Sequence, residues 1–431
     1  MIARLTRKTH GDRYGPVRPM RTVIPVRRYT WWRCVALVSL LTGGLACVVT
    51  TADPAAARAA ATPVTGPLVH NPLTDPKTGR PLSCPDPSVV DVPHRQYAMY
   101  MVCTSDFDRD ALPIWGSHDG VHWTKLASVF PRGSGPSWAT PAGSQHGRYW
   151  APDLHWFGGH WVLYFAAQLT GAAAQTLSPA PQGRFAIGVA TATSLRSGDW
   201  TTSLLHYSGQ FDQLPSELGN RELSGGVIDP NEFENPVTGQ RYLVYAKQSD
   251  EIFLGELSPD GLTLAPGVQR ILVPSTPWEC ANLRGTCTIE GPVGYWYGNV
   301  AYVLYSASST WAGSYAVGVA ASTAPLALPF TKDPEPILSS SGDLLGPGGT
   351  SEPVTAPDGS PIIYFHTLIG GPDAEHISSQ RYLTVARFHY YSAASASLDT
   401  TPAGTPVGIS WPQISSGKPK NYTTLARSAR P

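Results

Sequence analysis

One phrase recurs five times along this 431-residue chain, each time with an acid near its start. The copies are CPDPSVVDVPHRQYAMYMVC around Asp86, WAPDLHWFGGHWVLYFAA around Asp153, and IDPNEFENPVTGQRYLVYAK from Ile228. The last two are IEGPVGYWYGNVAYVLYSAS from Ile289 and SEPVTAPDGSPIIYFHT from Ser351. In each, Asp or Glu stands beside or near Pro, a turn-like stretch follows, and an aromatic-rich strand pattern ends the unit. Asp86, Asp153, Asp229, Glu290 and Glu352 lie 67, 76, 61 and 62 residues apart. Repeated sets of short strands arranged radially make a β-propeller, whose innermost strands all start at the rim of one central channel. The expected fold is all-β, a five-bladed β-propeller. Five acids at equivalent repeat positions would converge on its axis.

The remaining strand signals agree with that reading. YAMYMV, WVLYFAA, FAIGVATA, RYLVYAK, AYVLYSAS, SYAVGVAAS and PIIYFHT are short, rich in aromatic and β-branched residues, and bounded by Gly, Pro, Asn or Asp. No stretch carries convincing helical periodicity. Tight turns are expected at His118-Asp119-Gly120, Pro259-Asp260-Gly261 and Pro357-Asp358-Gly359. The regular repeat favours one domain over residues 62–411, with the basic segment 412–431 as a disordered tail.

The N-terminus reads differently. Its first 34 residues carry nine Lys or Arg against one acid, Asp12. An uncharged apolar run from Val35 to Thr51 follows, then the small-residue stretch AAARAAA ending at Ala61. That order is the pattern of a secretory signal peptide over residues 1–61, which implies a secreted, extracellular protein. Without those residues, the 31 basic and 31 acidic side chains become 21 and 29, a net charge of −8. An acidic body argues against nucleic acid as partner. No other segment is long and apolar enough to span a membrane, so no stable membrane association is expected. Cys84, Cys103, Cys280 and Cys287 remain, and an even number in an exported chain favours disulfides. Cys84–Cys103 would flank the first repeat, and Cys280–Cys287 would close a short loop ahead of Glu290. Their spacing matches no zinc motif.

Three of the acids have unusual settings. Asp86 lies between Pro85 and Pro87, Asp229 between Ile228 and Pro230, and Glu290 precedes Gly291-Pro292. An acid beside Pro or Gly at a strand start also serves as a turn residue, so repeat position alone assigns no chemistry. Trp150 offers either a flat ligand-stacking platform or core packing. For Arg381 the alternative is a surface salt bridge, for Trp115 blade packing, and for His366 a satisfied strand position. Lys247, at a strand end, is expected to be solvated.

Taken in order, CPDPSVV, RYWAPDLHW, IDPNEFENPVTGQRYLVYAK and TIEGPVGYWYGNVAYVLYS resemble the motifs of family 43 glycoside hydrolases. The likeness continues through SYAVGVAASTAPLALPF and GPGGTSEPVTAPDGSPIIYFHT, and so covers roughly residues 70–390. That family groups β-xylosidases, α-L-arabinofuranosidases and arabinanases. The resemblance implies a five-bladed propeller and an inverting mechanism, in which one carboxyl protonates the leaving oxygen and another activates water. Carried over by position, Asp86 matches the general base and Glu290 the general acid. Asp229 matches the third carboxylate, which raises the acid's pKa and orients it and the sugar. Trp150 and Asp153 fall on a substrate-side motif, and Arg381 resembles an arginine near the funnel in the last blade.

Many members have His where this chain has Gly349, and in some that His helps hold an axial metal ion. With Gly349 here, no metal and no cofactor are expected. The YLVYAKQSDEIFLGELSPDGLTL and GPGG segments favour an α-L-arabinofuranosidase that removes terminal residues from arabinan, arabinoxylan or derived oligosaccharides. The alternatives are a β-xylosidase or arabinanase of the same family, a carbohydrate-binding propeller without catalysis, or an acidic interaction scaffold.

Overall fold

The computed structural model describes residues 69–389 and 408–410, apart from 93–94, 106–109, 146, 178–184, 208–225, 248–249, 282–286, 328, 357–358 and 371–379. The expected signal peptide and tail lie outside the described residues.

Strands follow one another in sets of four, and each set forms its own antiparallel sheet. The first blade holds β1 (Ser88–Asp91), β2 (Met99–Val102), β3 (Ala111–Ser117) and β4 (Trp123–Phe130). The second holds β5 (Tyr149–Phe157), β6 (His160–Gln168), β7 (Phe185–Ala192) and β8 (Thr201–Tyr207). In the third are β9 (Val227–Glu234), β10 (Arg241–Lys247), β11 (Glu251–Leu257) and β12 (Gln269–Leu272). The fourth comprises β13 (Ile289–Tyr297), β14 (Val300–Ala307), β15 (Ala316–Ser322) and β16 (Thr331–Lys332). The fifth has a divided inner strand, β17 (Leu344–Gly348) and β18 (Val354–Thr355), then β19 (Pro361–Ile369), β20 (Tyr382–His389) and β21 (Gly408–Ser410). The expected five-bladed propeller is the fold of the chain.

Second strands read as unbroken apolar runs because a neighbouring sheet covers each of their faces. Every residue of β14 is buried, and β6 is buried from Trp161 to Ala167. Separate cores fill the spaces between adjacent blades. Tyr100, Ile114 and Phe130 meet Trp161, Leu163 and Phe165 between the first two. Tyr295, Leu304 and Val317 meet Ile363, Phe365 and Phe388 between the last two. Each such side chain contributes roughly 1.5–3 kcal/mol on burial. Trp115 packs into the core between the fifth and first blades, beside Cys84, Cys103 and Tyr364. Both expected disulfides, Cys84–Cys103 and Cys280–Cys287, are formed.

Two expectations fail locally. Lys247 is buried, not solvated, because it ends a second strand; its Nζ lies 5.7 Å from the Phe253 ring centroid. A short helix, α1 (Gly171–Leu177), forms between β6 and β7 where no helix was expected. Its alanines favour helix, and Thr170 Oγ1 accepts the Ala173 N–H at 3.1 Å as a cap.

The inner strands share a feature more exact than the acids. Opposite Phe165, Tyr245 and Tyr305, two inner-strand residues face one on the second strand: Ala151-Pro152, Asp229-Pro230 and Gly291-Pro292. These are β-bulges, which bend a strand and re-aim its side chains. Gly349-Thr350 takes the same place in the fifth blade, between the Gly348–His366 pair and the Ser351 N–H bond to the Tyr364 carbonyl. Asp86-Pro87 does so in the first, between the Thr104 N–H bond to the Pro85 carbonyl and the Ser88–Val102 pair. The first residue of every bulge has positive φ: Asp86 47°, Ala151 42°, Asp229 54°, Gly291 55° and Gly349 54°.

The five acids are therefore not equivalent, which corrects the repeat as first read. Asp86 and Asp229 occupy the bulge itself. Glu290 precedes it by one residue, Asp153 follows its first residue by two, and Glu352 by three.

The ring closes through the segment ahead of β1. Leu73 N–H donates to the Leu383 carbonyl at 2.8 Å, and Leu383 N–H to the Leu82 carbonyl at 2.9 Å. Asn71 Nδ2 reaches the Val385 carbonyl at 2.8 Å, and Cys84 N–H the Arg381 carbonyl at 3.2 Å.

Candidate active site

A cavity of about 310 Å³ opens at the bulges and is lined from all five blades. Asp86, Asp229 and Glu290 all border it, as do Trp150, Asp153 and Arg381. All six site residues expected from sequence are thus brought to one place.

Asp86 is held from three sides. Thr104 Oγ1 donates to its Oδ2 at 2.7 Å, and Arg381 donates to its Oδ1 at 3.1 Å. His366 Nδ1 lies 3.3 Å from Oδ1. Burial alone would raise this carboxyl, but the Arg381 charge, with the contacts to His366 and Thr104, outweighs it and holds Asp86 well below the usual carboxylate range. The Cys84–Cys103 disulfide joins the two chain segments that carry Asp86 and Thr104. Arg381 is itself buried, so its ion pair is not a surface one.

Also on the cavity lining, Glu290 Oε1 accepts hydrogen bonds from Tyr315 OH at 2.8 Å and Thr310 Oγ1 at 2.9 Å. Asp229 Oδ2 accepts the Gly291 N–H at 2.8 Å. Burial first, then the charges of Glu290 and Asp86, push the Asp229 carboxyl well above the usual range. Asp229 is therefore the carboxyl of this group that resists losing its proton. A carboxyl held ionised, Asp86, and one pushed toward its protonated form, Asp229, thus border the same cavity as Glu290, a set of groups that acid–base hydrolysis can use.

Trp150 turns out to serve packing and cavity together. Its ring stacks on Phe185 with centroids 4.2 Å apart, and it still borders the cavity. Trp311, 51% exposed, stands at the wall with the Arg381 guanidinium 5.3 Å from its ring centroid. Sequence reasoning passed over Trp311, Thr310, Tyr315 and Thr104. Only the position of Thr310 and Trp311, in the connection after a second strand, hinted that they reach the rim.

Asp153 lies on the floor, with both oxygens engaged by protein. It accepts from Asn231 Nδ2 at 2.9 Å and from Glu232 N–H at 2.7 Å, and His155 Nε2 lies 2.7 Å away. Asn231 Nδ2 also reaches Glu352 Oε1 at 3.2 Å, and Arg241 pairs with Glu232 at 2.9 Å. Burial would lower the His155 pKa, but Asp153 and Glu232 carry it up to about 10. Burial pushes Glu352 up to about 8.

Asp153, His155 and Glu352 bring possible metal-ligand atoms within 4.8 Å of one another. A metal needs a neutral imidazole, whereas this histidine faces the carboxylate as its ion-pair partner. The donor set does not fit a metal in this arrangement.

Known proteins share this fold and parts of this sequence. An arabinan endo-1,5-α-L-arabinosidase A of Aspergillus niger is 26% identical over 281 residues, 59% of this chain and 74% of that protein. An extracellular exo-α-(1→5)-L-arabinofuranosidase of Streptomyces avermitilis is 25% identical over 256 residues, 57% of this chain and 45% of that protein. A solved thermostable family-43 glycoside hydrolase shares the fold with a TM-score of 0.59 at 22% identity, covering 81% of this chain and 98% of that one. Residues 80–392 match the sequence profile of glycosyl hydrolases family 43. The chain belongs to that family and is a glycoside hydrolase.

Proposed function

We propose that the protein is a secreted, inverting α-L-arabinofuranosidase that removes terminal arabinofuranosyl residues from α-1,5-linked arabinan. One observation carries the mechanism: in a single cavity Asp86 is held ionised while Asp229, beside Glu290, is pushed toward its protonated form. In this reading Asp86 takes a proton from water as it attacks the anomeric carbon, and Glu290 donates one to the departing oxygen. The configuration inverts, which requires roughly 6.5–9.5 Å between the two carboxyls to admit the water. Asp229 orients Glu290 and shares its proton. Trp150 and Arg381 face the sugar, and Asp153 positions the floor beneath it. The substrate class rests on the names of the Aspergillus and Streptomyces relatives, and secretion on the signal-like N-terminus and two disulfides.

The Aspergillus relative, named as endo-acting, favours internal cleavage as a second reading. Linear arabinan separates the two: arabinose as the first product supports terminal release, whereas an early fall in viscosity with mixed oligomers supports internal cleavage. Aryl α-L-arabinofuranoside and aryl β-xyloside test the sugar. Glu290→Ala and Asp86→Ala are expected to lose about 10³-fold or more in kcat/KM. Equal activity in wild type and both variants would sink the assignment. NMR of the first anomer released tests inversion.

A further inference from the structure

One residue on a second strand, or just past its end, stands beside each bulge: Thr104, Ala166, Ala246, Ser306 and His366. Four are small, and the fifth is an imidazole. Two of the small ones reach across to the next blade. Thr104 Oγ1 accepts the N–H of Ala151 at 2.7 Å, and Ser306 Oγ accepts the N–H of Gly349 at 2.9 Å. Both donors are the positive-φ residues of their bulges. His366 Nδ1 makes the corresponding contact, 3.2 Å from the N–H of Asp86. A hydroxyl would suffice for that latch, as Ser306 demonstrates, so the ring needs another explanation.

Three observations supply it. Nδ1 also stands 3.3 Å from Asp86 Oδ1, so one atom meets both the backbone and the carboxylate of the same residue. The ring lies nearly parallel to Tyr315, 5.9 Å between centroids at 13°, and Tyr315 OH donates to Glu290. A stack of two rings thus runs from the contacts of one carboxylate to those of the other. Gly349 makes the room: a Cβ there would fall 2.5 Å from Asp86 Oδ1 and 2.7 Å from the imidazole. His366 is wholly buried, and its Nε2 meets no partner among the described residues. A phenyl ring would pack there without that cost.

We propose that His366 is the positioning residue of Asp86, fixing the backbone and rotamer of the base and, through Tyr315, its separation from Glu290. The inference rests on the reading of Asp86 as general base. The charged and titratable groups facing Asp86 are Arg381 and His366, with Asp229 and Tyr315 within range of its charge. Burial and the Arg381 charge lower the His366 pKa, so the ring is neutral at pH 7 and Nδ1 is free to accept the amide.

The test measures kcat, KM, the pH profile of kcat/KM and the thermal midpoint for His366→Phe, His366→Asn, Gly349→Ala and Asp86→Asn. His366→Phe should lower kcat about 10²-fold with KM changed less than about threefold. Its acidic limb should rise by about one pH unit, because Asp86 is no longer held against the Arg381 guanidinium that favours its ionised form. His366→Asn, which keeps a polar atom near Nδ1, should recover to within about fivefold of wild type. Gly349→Ala should lower kcat by at least about tenfold while deleting no functional group. Should His366→Phe not fold, His366→Asn and Gly349→Ala carry the test. An unchanged pH profile in His366→Phe, with Asn and Phe losing activity only in step with stability, would reduce the ring to packing and overturn the proposal. If Asp86→Asn is inactive while His366→Phe and Gly349→Ala match wild type, the positioning inference alone fails. If Asp86→Asn stays active, the reading of Asp86 as base fails first.

Discussion

Two groups of three carboxyls share the axis of this propeller, and they are charged very differently. Asp86, Asp229 and Glu290 at the cavity wall have one guanidinium, Arg381, against Asp86. Asp153, Glu232 and Glu352 at the floor are laced together by His155, Arg241 and Asn231. Three acids beside one cation cannot all ionise in a buried place, so a proton stays behind. Three acids with two cations and an amide come close to balance. Excess charge makes a site that can exchange protons; balanced charge makes a brace.

The largest effect expected from this contrast is on turnover. Asp229→Asn keeps an oxygen for the Gly291 N–H but cannot share a proton, and kcat/KM should fall about 10²–10⁴-fold at an unchanged thermal midpoint. A midpoint drop that accounts for the whole activity loss would blur the division between the two groups. On the floor, Arg241→Met leaves buried Glu232 with His155 as its remaining counter-charge and should cost roughly 3 kcal/mol of stability in denaturant titration. The folded fraction should keep kcat within a few-fold. A hundredfold loss of kcat there would make the floor part of the chemistry.

Glu352→Gln sharpens the comparison through pH. Its folded pKa of about 8 exceeds the ordinary 4.5, so the folded state binds more protons between those values. Its contribution to stability is full below pH 4.5 and is lost as pH rises through 8. His155, raised from 6.5 to about 10, adds its own decline only above pH 6.5. Thermal midpoints between pH 5 and 6.5 should therefore decline in wild type and decline less steeply in Glu352→Gln, where the raised Asp229 and Glu232 carboxyls still contribute; equal slopes would refute the assignment. The smallest effect is expected at a bulge without an acid. Ala151→Gly relieves a φ of 42° and should stabilise by about 1 kcal/mol, read from the urea midpoint.

Blade number, both disulfides and the catalytic candidates were legible because each leaves a local mark in sequence. Second strands show as apolar runs, and cysteines and acids beside Pro can be counted directly. What misled was the assumption that the acid is the repeated element. The repeated element is a bulge with positive φ, which Asp86, Ala151, Asp229, Gly291 and Gly349 all satisfy. The acids sit on, before or after it, and only strand register reveals the offset. Lys247 was misread because its burial depends on a neighbouring sheet rather than on its own strand. The grip of His366 on Asp86 spans 280 residues, and its local sequence, YFHT, looks like any strand.

The closure of the ring has a consequence for how heat stops the enzyme. Between the fifth and first blades the seam includes noncovalent pairing from Asn71, Leu73 and Leu82 to the start of β20. Asp86 stands on one side of that seam, and His366 and Arg381 stand on the other. A slight parting there would separate the base from its holders while every blade kept its hydrogen bonds. Inactivation on warming should accordingly run ahead of the loss of β-sheet circular dichroism, and be reversed on cooling before that loss begins.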